Sequence, residues 1–281
     1  MKSRAASFAR LALVLPAVFA GLGAARFDLP GGYRCETEHY LVQTDVSQVF
    51  SEVVGRHMEA IYQEYSSRFA GYGQAYKKFN VVVFRQESRY EECVPPDVRG
   101  SAGVFVSSKR LLAAHTEGRT REGVLRTLYH EGFHQFMYEV ISKNCPTWLN
   151  EGLAEYFYEA TWNGESFSLG QVPSVRLATL QQAIKTNGCI RFRELFQMNS
   201  DAWIHNCRVS KKRAGLIYSE CWGIVHFLLH AEGGRYVKGM NHLLKAISEG
   251  ENQEKALEES FGPGLDLRAF EEAWVNYVMS G

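Results

Sequence analysis

The amino-acid sequence predicts an α+β fold in two parts, an N-terminal α/β lobe and a mostly helical C-terminal lobe. Residues 79–84 form a continuous run of β-branched and aromatic side chains, which is typical of a buried strand. Residues 47–69 repeat apolar side chains at helical spacing. Beyond Glu159 nearly every segment has helical periodicity. We therefore expect lobes at residues 26–160 and 161–281, with a small mixed sheet in the first.

Residues 1–25 have the pattern of a secretory signal peptide. The chain begins with three basic residues, Lys2, Arg4 and Arg10. An apolar run at 11–22 and small residues through Ala25 follow, so cleavage after Ala20 and cleavage after Ala25 both fit the sequence. We expect an exported protein, periplasmic or secreted, without stable membrane insertion once the signal is removed. An uncleaved anchor is the alternative.

The N-terminal lobe is expected to begin with a strand at 40–44, followed by the long helix with Asp45 or Ser47 as its cap. After the buried strand, the polar segment 87–103 contains two consecutive prolines and is expected to be a surface loop. Two short strands should follow, at 103–106 and 110–115, joined by a turn.

An H-E-x-x-H motif, His130-Glu131-Gly132-Phe133-His134, lies on the next segment, whose apolar residues also recur at helical spacing. Residues four apart share one face of a helix, so both imidazoles can reach a single ion. Glu131 is beside them, close enough to act on a water held by that ion. Thr120 is the expected cap of this helix. A lone motif of this kind is also compatible with a charged helix face.

A second helical pattern provides the third ligand that a catalytic zinc site usually needs. The sequence N-E-G-L-A-E-Y at 150–156 follows Pro146, and the residue before a proline is pushed out of helical geometry. The second helix can therefore fold back on the first. Glu151 is the predicted third ligand. Glu155, one turn later, is placed to accept the free N–H of His130.

The pair of motifs HEGFH and WLNEGLAEYF makes the chain resemble the gluzincin zinc metallopeptidases, in particular the exported peptidase-MA-like proteins. The resemblance implies a zincin-like fold of two lobes with the zinc helix at a cleft between them. It also implies Zn²⁺ bound by His130, His134 and Glu151, with Glu131 as the general base. The expected substrate is a peptide or protein, and the expected activity is hydrolysis of peptide bonds.

Related peptidases place a tyrosine or histidine of the C-terminal lobe beside the zinc to bind the tetrahedral oxyanion. Tyr218 opens a strongly apolar helix and is the first candidate for this role, with His226 second. The alternative for Tyr218 is ordinary packing in the core, because aromatic residues on buried helices usually serve that purpose.

In a gluzincin-like sheet an edge strand lies over the cleft, where an extended substrate can pair with it. Strand 110–115 ends just before the zinc helix and is the predicted edge. His115, at its end, is interpreted as a solvent-facing residue, with a substrate contact as the alternative. The strand region lacks the G-x-M-x-N element of gluzincin-like aminopeptidases, which favours an endopeptidase.

The charge and cysteine content narrow the function further. Lys plus Arg equals Asp plus Glu at 31 each, which argues against nucleic acid as a main partner. The six cysteines are Cys35, Cys93, Cys145, Cys189, Cys207 and Cys221. An even number in an exported chain suggests up to three disulfides, with Cys189–Cys207 as the first candidate pair. Cys221, within an apolar helix, is equally compatible with a buried free thiol.

The C-terminal lobe is expected to start with a turn or hairpin at 161–168. Helices are predicted at 175–185, 192–198, 214–230, 237–249, 254–261 and 267–279.

Two other functions are compatible with the sequence. One is an exported zinc-binding scaffold without turnover, although a complete ligand set with Glu131 beside it argues against a degraded site. The other is a zinc hydrolase of a non-peptide amide, which only a substrate screen separates from a peptidase.

Overall fold

The computed structural model describes residues 27–281, so the predicted signal segment 1–25 lies outside the described residues. Within them the fold is α+β, with a small mixed sheet in the N-terminal part and a mostly helical C-terminal part, as the sequence predicts. No helix between residues 27 and 281 combines the length and apolar character needed to cross a bilayer.

The sheet has five strands in the order β1-β2-β3-β5-β4. They are β1 (Tyr33–Glu36), β2 (Tyr40–Thr44), β3 (Phe79–Phe84), β4 (Gly103–Val106) and β5 (Leu111–His115). β2, β3 and β5 are parallel to one another, while β1 and β4 are antiparallel to their neighbours and form the two edges. The predicted strands are confirmed, but the strand at the edge is β4 rather than the 110–115 strand.

The environment of His115 also differs from the prediction. The side chain is 5% exposed and packs against Tyr90, with 5.3 Å between ring centroids. The prediction of a solvent-facing residue is therefore wrong. Tyr90 belongs to α2 (Glu87–Cys93), which the sequence analysis treated as loop. Only Tyr90 of this short helix is buried, so the sequence has no repeat of apolar residues at helical spacing from which the helix could be predicted.

Four described helices complete the N-terminal part. They are α1 (Gln48–Arg68), α2, α3 (Arg121–Phe136) and α4 (Thr147–Tyr158), and two of them, α3 and α4, carry the two motifs. The Oγ of Ser47 accepts a hydrogen bond from the N–H of Phe50, so Ser47 rather than Asp45 caps α1. The Oγ1 of Thr120 accepts one from Gly123, which confirms Thr120 as the cap of α3. A π-helical turn, Met137–Ile141, continues α3 and leads into the connection to α4.

The C-terminal part follows a small hairpin of β6 (Thr161–Trp162) and β7 (Phe167–Ser168). Its helices are α5 (Ser174–Lys185), α6 (Phe192–Phe196), α7 (Ser200–Val209), α8 (Lys211–His230), α9 (Val237–Ser248), α10 (Gln253–Phe261) and α11 (Leu267–Ser280). The sequence analysis missed α7, in which only Trp203 is buried. The other predicted helices are confirmed with small shifts of their ends.

Close approach of α4 to α8 organises the centre of the molecule. A Cβ added at Gly152 of α4 would lie 2.5 Å from the carbonyl oxygen of Cys221 on α8. Only glycine allows this contact between backbones. The buried part of α8 thus lies directly behind the helix that carries Glu151.

All six cysteines lie within the described residues and all are free thiols. The expected Cys189–Cys207 disulfide is therefore absent. Cys189 instead lies near the carboxylate of Glu220 on α8, which together with burial raises the pKa of its thiol, and Cys221 is a buried free thiol.

Candidate metal centre

Three side chains from α3 and α4 converge in the interior. The Nε2 atoms of His130 and His134 are 2.9 Å apart, and the Oε2 of Glu151 lies 3.3 Å from the first and 3.5 Å from the second. All three side chains are at most 2% exposed. Because one ligand atom from each lies within 4.8 Å of the others, this buried group can hold a metal ion.

The other nitrogen of each imidazole faces an acceptor, which fixes its tautomer. The Nδ1 of His134 is 3.0 Å from Oδ1 of Asn150, and the Nδ1 of His130 is 3.3 Å from Oε1 of Glu155. An amide oxygen and a carboxylate oxygen can only accept, so a hydrogen on each Nδ1 suits these contacts and leaves Nε2 as the nitrogen that can bind a metal ion. The two Nε2 atoms therefore face each other and the Oε2 of Glu151.

Positive charge stabilises this arrangement, and either a proton on His130 or a metal ion can supply it. The Oε2 of Glu151 has no hydrogen-bond partner within residues 27–281. Burial alone would lower the pKa of His130, but the neighbouring Glu151 and Glu155 outweigh it and raise this pKa to about 10. Burial opposes ionisation of Glu151 as well, yet His134 and His130 lower its pKa to about 2. The electrostatics of the site thus favour a bound cation.

Glu131 lies beside this group and is completely buried. Its Oε2 accepts a hydrogen bond of 2.9 Å from the N–H of Phe105 on the edge strand β4. Its Oε1 has no hydrogen-bond partner in the described part of the chain. Burial raises the pKa of Glu131, against the lowering effect of His130 and His134. A buried carboxylate with one fixed and one unpaired oxygen is suited to proton transfer.

Glu155 connects His130 to a second layer of charged residues. Its Oε2 accepts a hydrogen bond from Arg176, whose Nε also donates to Oε1 of Glu159 over 2.6 Å. Arg126 lies 3.2 Å from the other oxygen of Glu159. The position that the sequence analysis gave to Glu155 relative to His130 agrees with this geometry.

Tyr218 lies near the group formed by His130, His134 and Glu151, whereas His226 makes no hydrogen bond or ring contact with that group within the described residues. The ring centroid of Tyr218 is 6.4 Å from that of His130 and 5.6 Å from that of Trp203 on α7. Burial, followed by the charge of Glu151, raises the pKa of Tyr218 well above its usual value. His226 bonds to Tyr277 and to the carbonyl of Gly170, so its two ring nitrogens are used in packing.

Sequence reasoning missed three contributors to the site. Asn150 immediately precedes Glu151, and its amide oxygen could have been recognised as an acceptor for the Nδ1 hydrogen of a metal-binding histidine. The N–H of Phe105 could not be found, because it depends on which strand forms the edge. Arg176 also gave no local signal, since it acts on a residue 21 positions away.

A second group in the described region has suitable ligand types, namely Glu38, His39 and Glu59. Here both oxygens of Glu59 are already used, because they contact the Nδ1 and the backbone N–H of His39. Glu38 is largely exposed. This group therefore links the residue before β2 to α1, and it lacks the burial and the free ligand atoms of the centre formed by His130, His134 and Glu151.

The fold and the site together define an α+β protein with a buried His-His-Glu group on two adjacent helices. Residues 124–248 match the model of one protein family, described as "Protein of unknown function (DUF1570)". A search of curated proteins found no match. The matched segment begins in α3 and ends with α9, so it contains all three residues of the group together with Glu131, Glu155 and Tyr218.

Proposed function

We propose that this protein is a zinc-dependent metallopeptidase of the gluzincin type, in which His130, His134 and Glu151 bind Zn²⁺. The observation that carries the proposal is the convergence of two Nε2 atoms and one buried carboxylate, with the carboxylate of Glu131 beside them.

The choice of zinc rests on ligand type and spacing. Two imidazoles and one glutamate are a common protein ligand set of catalytic zinc, which keeps a fourth position for water or substrate. Ligand atoms about 2.0–2.1 Å from a tetrahedral zinc ion are roughly 3.3 Å from one another. The distances of 2.9, 3.3 and 3.5 Å in this group bracket that value.

Zinc, when bound, supplies an acidified water and a Lewis acid for the substrate carbonyl. Glu131 acts as general base and takes the proton of the attacking water, for which its unpaired Oε1 is available. The same carboxyl group then delivers the proton to the leaving amine. Phe105 holds the other oxygen through its N–H, which keeps the base in one orientation.

Tyr218 is the proposed oxyanion donor. Its raised pKa keeps the phenol protonated, and only the protonated form can donate a hydrogen bond. Loss of one such donor costs about 10²–10³-fold in kcat in comparable sites.

The proposed substrate is an extended peptide, and cleavage within the chain is favoured. β4 is an edge strand, and its residue Phe105 directs its N–H away from β5 and towards the site. The contact of Phe105 with Glu131 brings this edge next to the proposed general base, so a peptide bound along it would lie near the centre. The basic start and apolar run of residues 1–25 support export as the setting for this activity.

Near-complete burial of the ligands favours one alternative, an exported zinc-binding protein without turnover. A scaffold, however, has no use for a buried glutamate oxygen without a partner, because an unpaired buried acceptor destabilises the fold by about 1–3 kcal/mol. Glu131 has such an oxygen and also has the imidazoles of His130 and His134 beside it, and this combination favours catalysis.

The test is digestion of a diverse peptide library by the purified protein and by its Glu131→Gln variant, read by mass spectrometry. We expect cuts from the unmodified protein and a rate about 10²–10⁴-fold lower from the variant, since that is the usual contribution of a general base. Zinc content measured in both preparations is the control. Equal digestion, or no digestion by either protein at full zinc content, would contradict the peptidase assignment.

A further inference from the structure

Arg176 connects the C-terminal helical part to the metal centre. It lies in the first turn of α5, the helix that follows α4 and the β6–β7 hairpin along the chain. Its guanidinium donates to Glu155 through Nη2 and to Glu159 through Nε, so one side chain joins two carboxylates of α4 and its end. The side chain is 13% exposed, and the planar group also faces the ring of Tyr158 at 5.8 Å.

The carboxylate of Glu155 is divided between two partners. One oxygen accepts from Arg176, and the other is 3.3 Å from the Nδ1 of His130. A carboxylate held at one oxygen keeps its second oxygen in a fixed direction, and this orients the imidazole that contacts it. Arg176, Glu155 and His130 therefore form a continuous chain of polar contacts, ending at the Nε2 that faces Glu151.

We infer that Arg176 is a positioning residue for His130, through which the docking of α5 sets the affinity of the centre for its metal. The inference rests on the proposed function, in which His130 is a zinc ligand. A guanidinium suits this task because its rigid fork can bond two carboxylates at once. A lysine has a single ammonium group on a flexible stem and cannot reproduce both bonds in one orientation.

Arg126 provides a matched control within the same cluster. It lies 3.2 Å from Glu159, and its guanidinium is 5.4 Å from the centroid of Tyr158, close to the corresponding 5.8 Å of Arg176. Its ion pairs within residues 27–281 are with Glu122 and Glu159 and do not include Glu155. Replacing either arginine removes one positive charge and one partner of Glu159, but only replacement of Arg176 releases Glu155.

The experiment is a titration of the metal-free full-length protein with Zn²⁺ in competition with a chromophoric chelator. We expect Arg176→Ala to weaken zinc binding about 10–100-fold, the usual cost of removing an outer-shell partner, and Arg126→Ala to weaken it by less than about threefold. Arg176→Lys should give an intermediate affinity. With Co²⁺ at saturation, the visible absorption spectrum should change in Arg176→Ala and remain unchanged in Arg126→Ala, because it reports ligand geometry rather than stability.

Equal zinc affinities for the two alanine variants, or identical cobalt spectra, would overturn the inference and leave the proposed function standing. If Arg176→Ala does not fold, Arg176→Lys carries the comparison, and an affinity equal to that of the unmodified protein would overturn the inference. Absence of zinc binding in the unmodified protein would instead contradict the proposed function, and the inference would fall with it.

Discussion

Two buried glutamates, Glu131 and Glu220, have similar hydrogen bonds and raised pKa values but different neighbours. Each accepts a backbone N–H, from Phe105 and Ile190 respectively, and each has one oxygen without a hydrogen-bond partner in the described residues. Burial is the largest cause of a raised pKa in both. Only Glu131 has two imidazoles beside it, and this neighbourhood makes it the candidate base.

Glu220 should make the stability of the fold depend on pH. Burial raises its pKa to about 8, above its usual 4.5. Between these values the unfolded chain releases a proton that the folded chain keeps, so the free energy of unfolding falls as pH rises through this window. We expect Glu220→Gln to unfold like the unmodified protein near pH 4.5 and to be more stable by on the order of a few kcal/mol above pH 8.

Urea unfolding of both proteins at several pH values measures this difference. A stability gap that is constant across the pH range would show that the carboxyl group of Glu220 does not titrate in this window.

At the scale of elements, the centre depends on two glycines that let helices approach. Gly132 of α3 faces α1, where an added Cβ would meet the terminal methyl of Met58 at 2.7 Å. Gly152 of α4 faces α8, where an added Cβ would meet the backbone of Cys221 at 2.5 Å. The end of a methionine can move aside, whereas a helix backbone cannot.

Alanine at these two positions should therefore have unequal effects. We expect Gly152→Ala to destabilise the protein by about 1–3 kcal/mol or more, because α4 must move away from α8. Gly132→Ala should be close to neutral, since the gain of about 1 kcal/mol in helix propensity offsets the displacement of Met58. Thermal unfolding of the two variants makes the comparison, and equal destabilisation would argue against this packing.

The same scale explains what the sequence could and could not predict. The helices α3 and α4 were predictable because metal ligation requires fixed spacings within a helix, as in His130 and His134. β1 and α2 were missed because each is largely exposed and lacks a regular apolar pattern. The identity of the edge strand was also not predictable, because strand order depends on pairings between distant segments.

At the scale of the whole molecule, the candidate site is assembled from both parts of the chain. The N-terminal part contributes the metal-binding group, Glu131 and the edge strand, while the helical part contributes Tyr218 from α8 and Arg176 from α5. One buried core joins α3 and α4 to α5 and α8, whereas the buried residues Val104 and Val106 of β4 belong to a second cluster. Contributions from the helical part were only partly predictable, because a contact such as Arg176 with Glu155 leaves no local pattern in the sequence.

The central claim is that His130, His134 and Glu151 hold one zinc ion in this arrangement. The most direct measurement is the zinc content per chain of the unmodified protein, of Glu151→Gln and of Glu131→Gln, purified in the presence of zinc and then dialysed. Glu131→Gln is the matched control, because both glutamates are buried and lie beside the same histidines.

We expect one zinc ion per chain in the unmodified protein and in Glu131→Gln, and loss of most of the metal in Glu151→Gln, which removes a direct ligand. Full zinc content in Glu151→Gln, or none in the unmodified protein, would contradict the account.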